Sequence, residues 1–100
     1  MGEGETVTIE KEMALTHAGF WRAIEKALGT DTYEKTATGV VLNSGGGKRL
    51  EITLGSERER RIALMVIEIM DVTLTFIGYS DGERDAALSA FDRAYQRGGG

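Results

Sequence analysis

The chain has no cysteine, no proline and a single histidine, His17. Without thiols it can form no disulfide, no thiolate nucleophile and no Cys-based zinc or iron–sulfur site, and one histidine cannot make a multi-histidine metal centre. Any Ser-His-Asp chemistry would have to run through His17. The lack of cysteine, together with the lack of a signal-like apolar segment at the N-terminus, sets the expectation of a reducing cytoplasm. The missing proline removes slow X-Pro isomerisation and any stiff proline-rich linker. Long apolar runs are missing too. The longest, residues 62–70, is interrupted by Glu68 and falls far short of the ~20 residues a spanning helix needs. Twelve Lys and Arg stand against 16 Asp and Glu, for a net charge of -4 and a pI near 5.0. Such a molecule repels phosphate backbones, and no basic stripe with interleaved aromatics offsets this locally, so neither nucleic acid nor a membrane is expected as a partner.

What is present fits one globular domain spanning residues 1–100, with 1–4 and 98–100 expected to be flexible. Apolar residues make up 41% and charged residues 28%, mixed in sign along the chain, which is enough for one core. Val7 and Ile9 alternate with Thr6, Thr8 and Glu10, the period of a half-buried strand that can continue toward Met13 and Leu15. The period then lengthens. Thr16 is a good N-cap, Phe20, Ile24, Ala27 and Leu28 form a helical stripe, and Gly29 supplies a C-cap, which predicts a helix over 16–28. Short strands are predicted at 32–36, 39–43 and 48–54, separated by glycine-containing turns. Residues 57–61 read as a turn. Residues 62–70 and 72–79 then read as two strands divided only by Asp71, which is either a tight hairpin or a bulge in one long bent strand. Ser80 and Glu83 match the S-x-x-E capping box, and Ala87, Leu88, Phe91, Ala94 and Tyr95 make the apolar stripe of a final helix that Gly98 ends.

The resulting order is β-α-β-β-β-β(β)-α. An α+β two-layer sandwich covers both helical stripes, with an antiparallel sheet of about five to six strands and both helices on one face. Leu50, Ile52, Leu54, Val72, Leu74 and Phe76 would face the helices. Arg49, Glu51, Thr53, Thr73, Thr75, Ile77 and Tyr79 would face away.

Several constellations resemble sites without meeting their requirements. Gly45-Gly46-Gly47-Lys48 lacks the first glycine and the Ser/Thr of a phosphate loop, since Leu42 and Arg49 occupy those positions, and a strand follows instead of a helix. Asp81, Glu83 and Asp85 do not follow the calcium-loop order and are explained by dipole complementarity at a helix start. Glu68 is the one acid inside an otherwise apolar strand. No cofactor and no metal site is expected. His17, in the first turn of a helix with Trp21 one turn on and Tyr33 further along, is the one candidate for a shallow pocket.

The segment 62–70 is apolar on both faces of a strand, which a sheet covered on one side does not need. This predicts that Met65, Ile67, Ile69, Ile77 and Tyr79 form an open apolar face covered by another chain or by a ligand, with a homodimer through this sheet face or a sheet edge as the first expectation. The tail Tyr95-Gln96-Arg97-Gly98-Gly99-Gly100 suggests a different use, because ubiquitin-like carriers are activated at a terminal Gly-Gly, here Gly99 and Gly100. The last twenty residues, from Tyr79-Ser80-Asp81-Gly82-Glu83-Arg84 to this tail, resemble the ends of small bacterial hypothetical proteins with a final helix and an aromatic-Gln-Arg-Gly-Gly-Gly terminus. That resemblance implies a bacterial cytosolic protein and assigns no activity. The first expectation is therefore a non-enzymatic binding or assembly module. A carrier activated at its C-terminus and a small enzyme or ligand binder near His17 and Trp21 are the alternatives.

Overall fold

A computed structural model describes residues 5–95. The elements are β1 (Thr6–Met13), α1 (His17–Leu28), β2 (Glu34–Lys35), β3 (Gly39–Gly45), β4 (Lys48–Leu54), β5 (Arg58–Ile62), β6 (Met65–Ile77) and α2 (Asp81–Tyr95). All strand pairings are antiparallel, in the order β1-β6-β4-β3-β2, with β5 also pairing with β6. The fold is the expected α+β sandwich, an open six-stranded antiparallel sheet with both helices packed on one face.

The local signals act as chemistry predicts. Thr16 Oγ1 accepts from the amide of Gly19 at 3.0 Å and so caps α1, and Gly29 closes it in the left-handed conformation, with φ 76°. At α2 the capping box is complete. The Ser80 amide donates to Glu83 Oε1 at 2.9 Å, and the Glu83 amide donates to Ser80 Oγ at 3.2 Å.

The core lies between sheet and helices. Phe20, Ile24 and Ala27 of α1 and Phe91 and Tyr95 of α2 close over Val40, Leu50, Ile52, Met70, Val72, Leu74 and Phe76. Side chains alternate across a strand, so the even positions of β6 from Met70 to Phe76 enter this core. Phe20 stacks on Tyr95 with centroids 5.6 Å apart, and the Tyr95 hydroxyl donates to the Phe20 carbonyl at 2.7 Å inside the core. Gly39 lets β3 and β4 close over this layer, because a Cβ there would collide with the Ile52 carbonyl.

Four readings of the chain change. Residues 57–61 are not a turn, since Arg58–Ile62 forms β5. The turn falls instead at Ala63-Leu64, inside what reads as one strand over 62–70. Asp71 breaks nothing. It pairs with Glu12 within the continuous 13-residue β6, which settles the choice between hairpin and bulge in favour of one long strand. The strand predicted at 32–36 shrinks to Glu34–Lys35. Tyr79 also changes sides. Gly78, at φ 77°, turns the chain after Ile77, and Tyr79 packs edge-on against Phe76 at 5.1 Å on the helix side. The frayed start at 1–4 and the tail at 98–100 lie outside the described residues.

Burial raises the pKa of the Tyr95 phenol, with the charge of Tyr33 as the lesser cause. Above pH ~10 an unfolded tyrosine ionises while the folded one stays protonated, so stability is complete below that pH and falls as pH rises. Tyr95→Phe should lower stability near neutrality by about 1 kcal/mol, from loss of the buried hydrogen bond. In urea titrations the gap between variant and wild type should close at alkaline pH. A gap independent of pH would contradict the protonated buried phenol.

Candidate functional site: a projecting apolar arm

The molecule is longer than its core requires. Its principal extents are 51 × 23 × 23 Å and its radius of gyration is 14.3 Å, against ~13 Å for a compact chain of this size. The excess is the β5–β6 hairpin. β6 pairs with β1 and β4 through its C-terminal half, whereas residues 65–69 pair with β5 alone. The result is a two-stranded ribbon extending past the sheet.

The arm begins at a bulge. Leu54 pairs with Val72 and Arg58 with Ile69, so three residues, 55–57, oppose only two, 70 and 71. The extra residue reverses which side chains face the helices, placing Glu59 and Arg61 on the helix side and Arg58 and Arg60 on the outer side. The N-terminus of α1 clamps this bulge. The His17 amide donates to Glu57 Oε2 at 2.6 Å, and His17 Nε2 contacts the Gly55 carbonyl at 2.8 Å. A carbonyl can only accept, so Nε2 carries the proton. Glu57 sits where the helix dipole and unsatisfied amides favour a carboxylate. On the outer side, Arg58 bridges both oxygens of Asp71 at 3.2 Å and Glu12 at 2.7 Å, and Arg60 adds Glu12 at 3.1 Å. The hydrogen bonds that the guanidinium donates to Asp71 are the main reason its pKa rises above the ordinary value.

The far end is apolar and open. Ile62, Leu64, Met65 and Val66 are 50, 101, 61 and 49% exposed. The connection itself carries strain, since Ala63 holds φ 55° at a position where two-residue hairpins prefer glycine. Behind the tip, the helix-side face of the arm and the start of α1 enclose a groove of about 590 Å³, lined by Leu15, Gly19, Arg22, Glu59, Val66 and Glu68. Glu59 and Glu68 are direct cross-strand partners there, a like-charge pair that disfavours the isolated arm. Among the described residues, neither carboxylate has an ion-pair partner, nor does Arg22 or Arg61.

The expected apolar face is therefore distributed differently. Met65 and Ile67 lie on the outer side of the arm, and Ile69 is covered, with 6% exposed. Ile77 is at the far end of β6, ~40 Å from Met65 at strand rise. Between them stand Asp71, Thr73 and Thr75, so the outer face of the main sheet is polar. Tyr79 is on the other side. Leu64 and Val66, which an odd-position reading passes over, belong to the exposed apolar tip. The glycine-free turn gave no signal that would have revealed it.

The three residues of the anticipated pocket meet different neighbours. His17 holds the bulge, Trp21 packs against Phe20 with Lys35 Nζ 4.5 Å from its ring centroid, and Tyr33 lines a cleft with Asp31, Thr32, Glu34, Val41 and Asn43. Gly99 and Gly100 lie outside the described residues. No group of three His, Asp or Glu among the described residues is placed to hold a metal, and no helix among them is long and apolar enough to cross a membrane. No protein family, characterised protein or solved structure was found to match this chain.

The clamp at the base should control the arm rather than the core. Arg58→Ala should speed amide exchange at residues 58–69 at least severalfold while leaving global stability nearly unchanged, as exposed ion pairs usually do. Equal acceleration throughout the sheet would show that the network supports the whole fold.

Proposed function

We propose that this protein is a non-enzymatic assembly module that pairs with a second copy of itself through the β5–β6 arm. The observation that carries the reading is the arm: a two-stranded ribbon held at its base and ending in an exposed apolar tip. Isolated ribbons are marginal in water, and an exposed apolar cluster at the end of one gains stability only when something covers it.

Charge complementarity favours a second copy as that cover. Along the helix-side face of the arm, the acidic row Glu59 and Glu68 is followed toward the tip by the row Arg61 and Val66. Two such faces set antiparallel about a two-fold axis bring each Arg61 against the acidic row of the other copy, and each apolar tip toward the other's groove beside Leu15 and Gly19. A two-fold interface requires this kind of self-complementarity. The arrangement gives the acidic pair the cation it lacks within one chain. The cysteine-free composition suits assembly in a reducing cytoplasm.

Light scattering at high micromolar concentration should give a dimer mass that falls toward the monomer in Leu64→Asp, with no loss of thermal stability in the monomer itself. A wild-type monomer under these conditions would end the proposal. Arg61→Glu alone and Glu59→Lys/Glu68→Lys alone should each weaken pairing at least tenfold, and mixing the two variants should restore it as a heterodimer. Failure of the mixture to pair, with wild type still dimeric, would keep self-association but reject this arrangement.

A further inference from the structure

A second feature lies at the other end of the helix-covered face from the groove, between α2, the end of α1 and the β3–β4 end of the sheet. The two halves of α2 meet the sheet differently. Its C-terminal half fills the interface with Phe91 and Tyr95, both buried. Ahead of Phe91, Ala86, Ala87 and Ala90 stand above Leu42, Leu50 and Leu74, while Leu88 packs on the core beside them. The small alanine side chains leave a pocket of about 280 Å³, open to solvent at its mouth, over the packed Leu50 and Leu74.

The mouth of this cavity is polar and made from four separate segments. Lys48 Nζ binds Glu83 Oε2 at 3.2 Å and lies 5.5 Å from the Tyr79 ring centroid, and the Tyr79 hydroxyl is 3.4 Å from Ser44 Oγ. Tyr79 reaches the mouth because Gly78 turns it to the helix side, and a Cβ at Gly78 would crowd the Gly47 carbonyl. An apolar pocket rimmed by a few convergent polar groups is the usual form of a small-molecule site.

We infer that this cavity binds a small uncharged amphiphile, a single aromatic ring or short alkyl chain carrying a hydroxyl or carbonyl head. Size sets the apolar part: a dry cavity of about 150 Å³ suffices for a benzene ring, so this one takes a ring with a substituent. Charge at the mouth sets the head. The Ser80 backbone hydrogen bond first, and Lys48 second, keep the Glu83 carboxyl below its ordinary pKa and therefore ionised, which repels an anionic head. The Lys48 ammonium repels a cation. The Tyr79 and Ser44 hydroxyls remain to exchange hydrogen bonds with a neutral group.

The test is a titration of the isotope-labelled full chain with p-cresol, 1-hexanol and hexanoate, followed residue by residue by NMR. Cresol and hexanol should give saturable shifts at Leu28, Leu42, Leu74 and Ala87, with hexanoate at least tenfold weaker. Ala90→Leu and Ala87→Leu, each filling the chamber, should weaken cresol binding at least tenfold while leaving the dispersed spectrum of a folded protein. Shifts confined to residues 62–66 would mean that the arm tip, not the cavity, takes up apolar molecules. That result, an absence of saturable shifts up to 10 mM, or undiminished binding by whichever alanine variant remains folded, would overturn the inference. None of these outcomes depends on whether the arms pair.

Discussion

The pairing of β6 along both edges organises everything else in the molecule. From Val72 to Ile77 its backbone bonds to β1 on one side and β4 on the other, while its even side chains, Met70, Val72, Leu74 and Phe76, form the floor on which both helices pack. A central strand has no edge exposed to water, so its hydrogen bonds and apolar contacts reinforce each other. The same strand continues beyond its neighbours. Once β1 and β4 end, only β5 remains to pair with residues 65–69. The compact body and the projecting arm are thus two halves of one strand in different surroundings.

The join between those halves is held by chemistry of two kinds. On the helix side, the bulge at 55–57 meets the positive end of α1 through His17 and Glu57. On the outer side, Glu12, Arg58, Arg60 and Asp71 form an exposed charge network. The single histidine, which invites a catalytic reading, is engaged in holding backbone. Its Nε2 proton on the Gly55 carbonyl and its amide on Glu57 orient the base of the arm.

Much of the architecture was legible along the chain because its causes are local. Thr16 and Gly29 bound α1, Ser80 and Glu83 bound the start of α2, and the alternation in 48–54 and 72–76 assigned the core face correctly. The arm was only half legible. The two-faced apolarity of 62–70 pointed to association, but its division into a turn and a strand was hidden. Arg58–Ile62 has neither the alternation nor the composition of a strand, and Ala63-Leu64 lacks the glycine or asparagine that marks a tight hairpin. β5 exists because β6 templates it, which is a tertiary cause.

The sequence by itself determined the class of fold, the inner face of the sheet, both ends of α1 and the start of α2 near their caps, and the absence of thiol chemistry. Each of these follows from residue type and short-range period. The tertiary structure alone decided where the apolar surplus goes. It buried Ile69, isolated Ile77, turned Tyr79 inward through Gly78, and gathered Ile62, Leu64, Met65 and Val66 at the end of a ribbon. Those outcomes depend on strand register and on a one-residue bulge. Because side chains alternate every residue, a single added residue exchanges the two faces of everything beyond it.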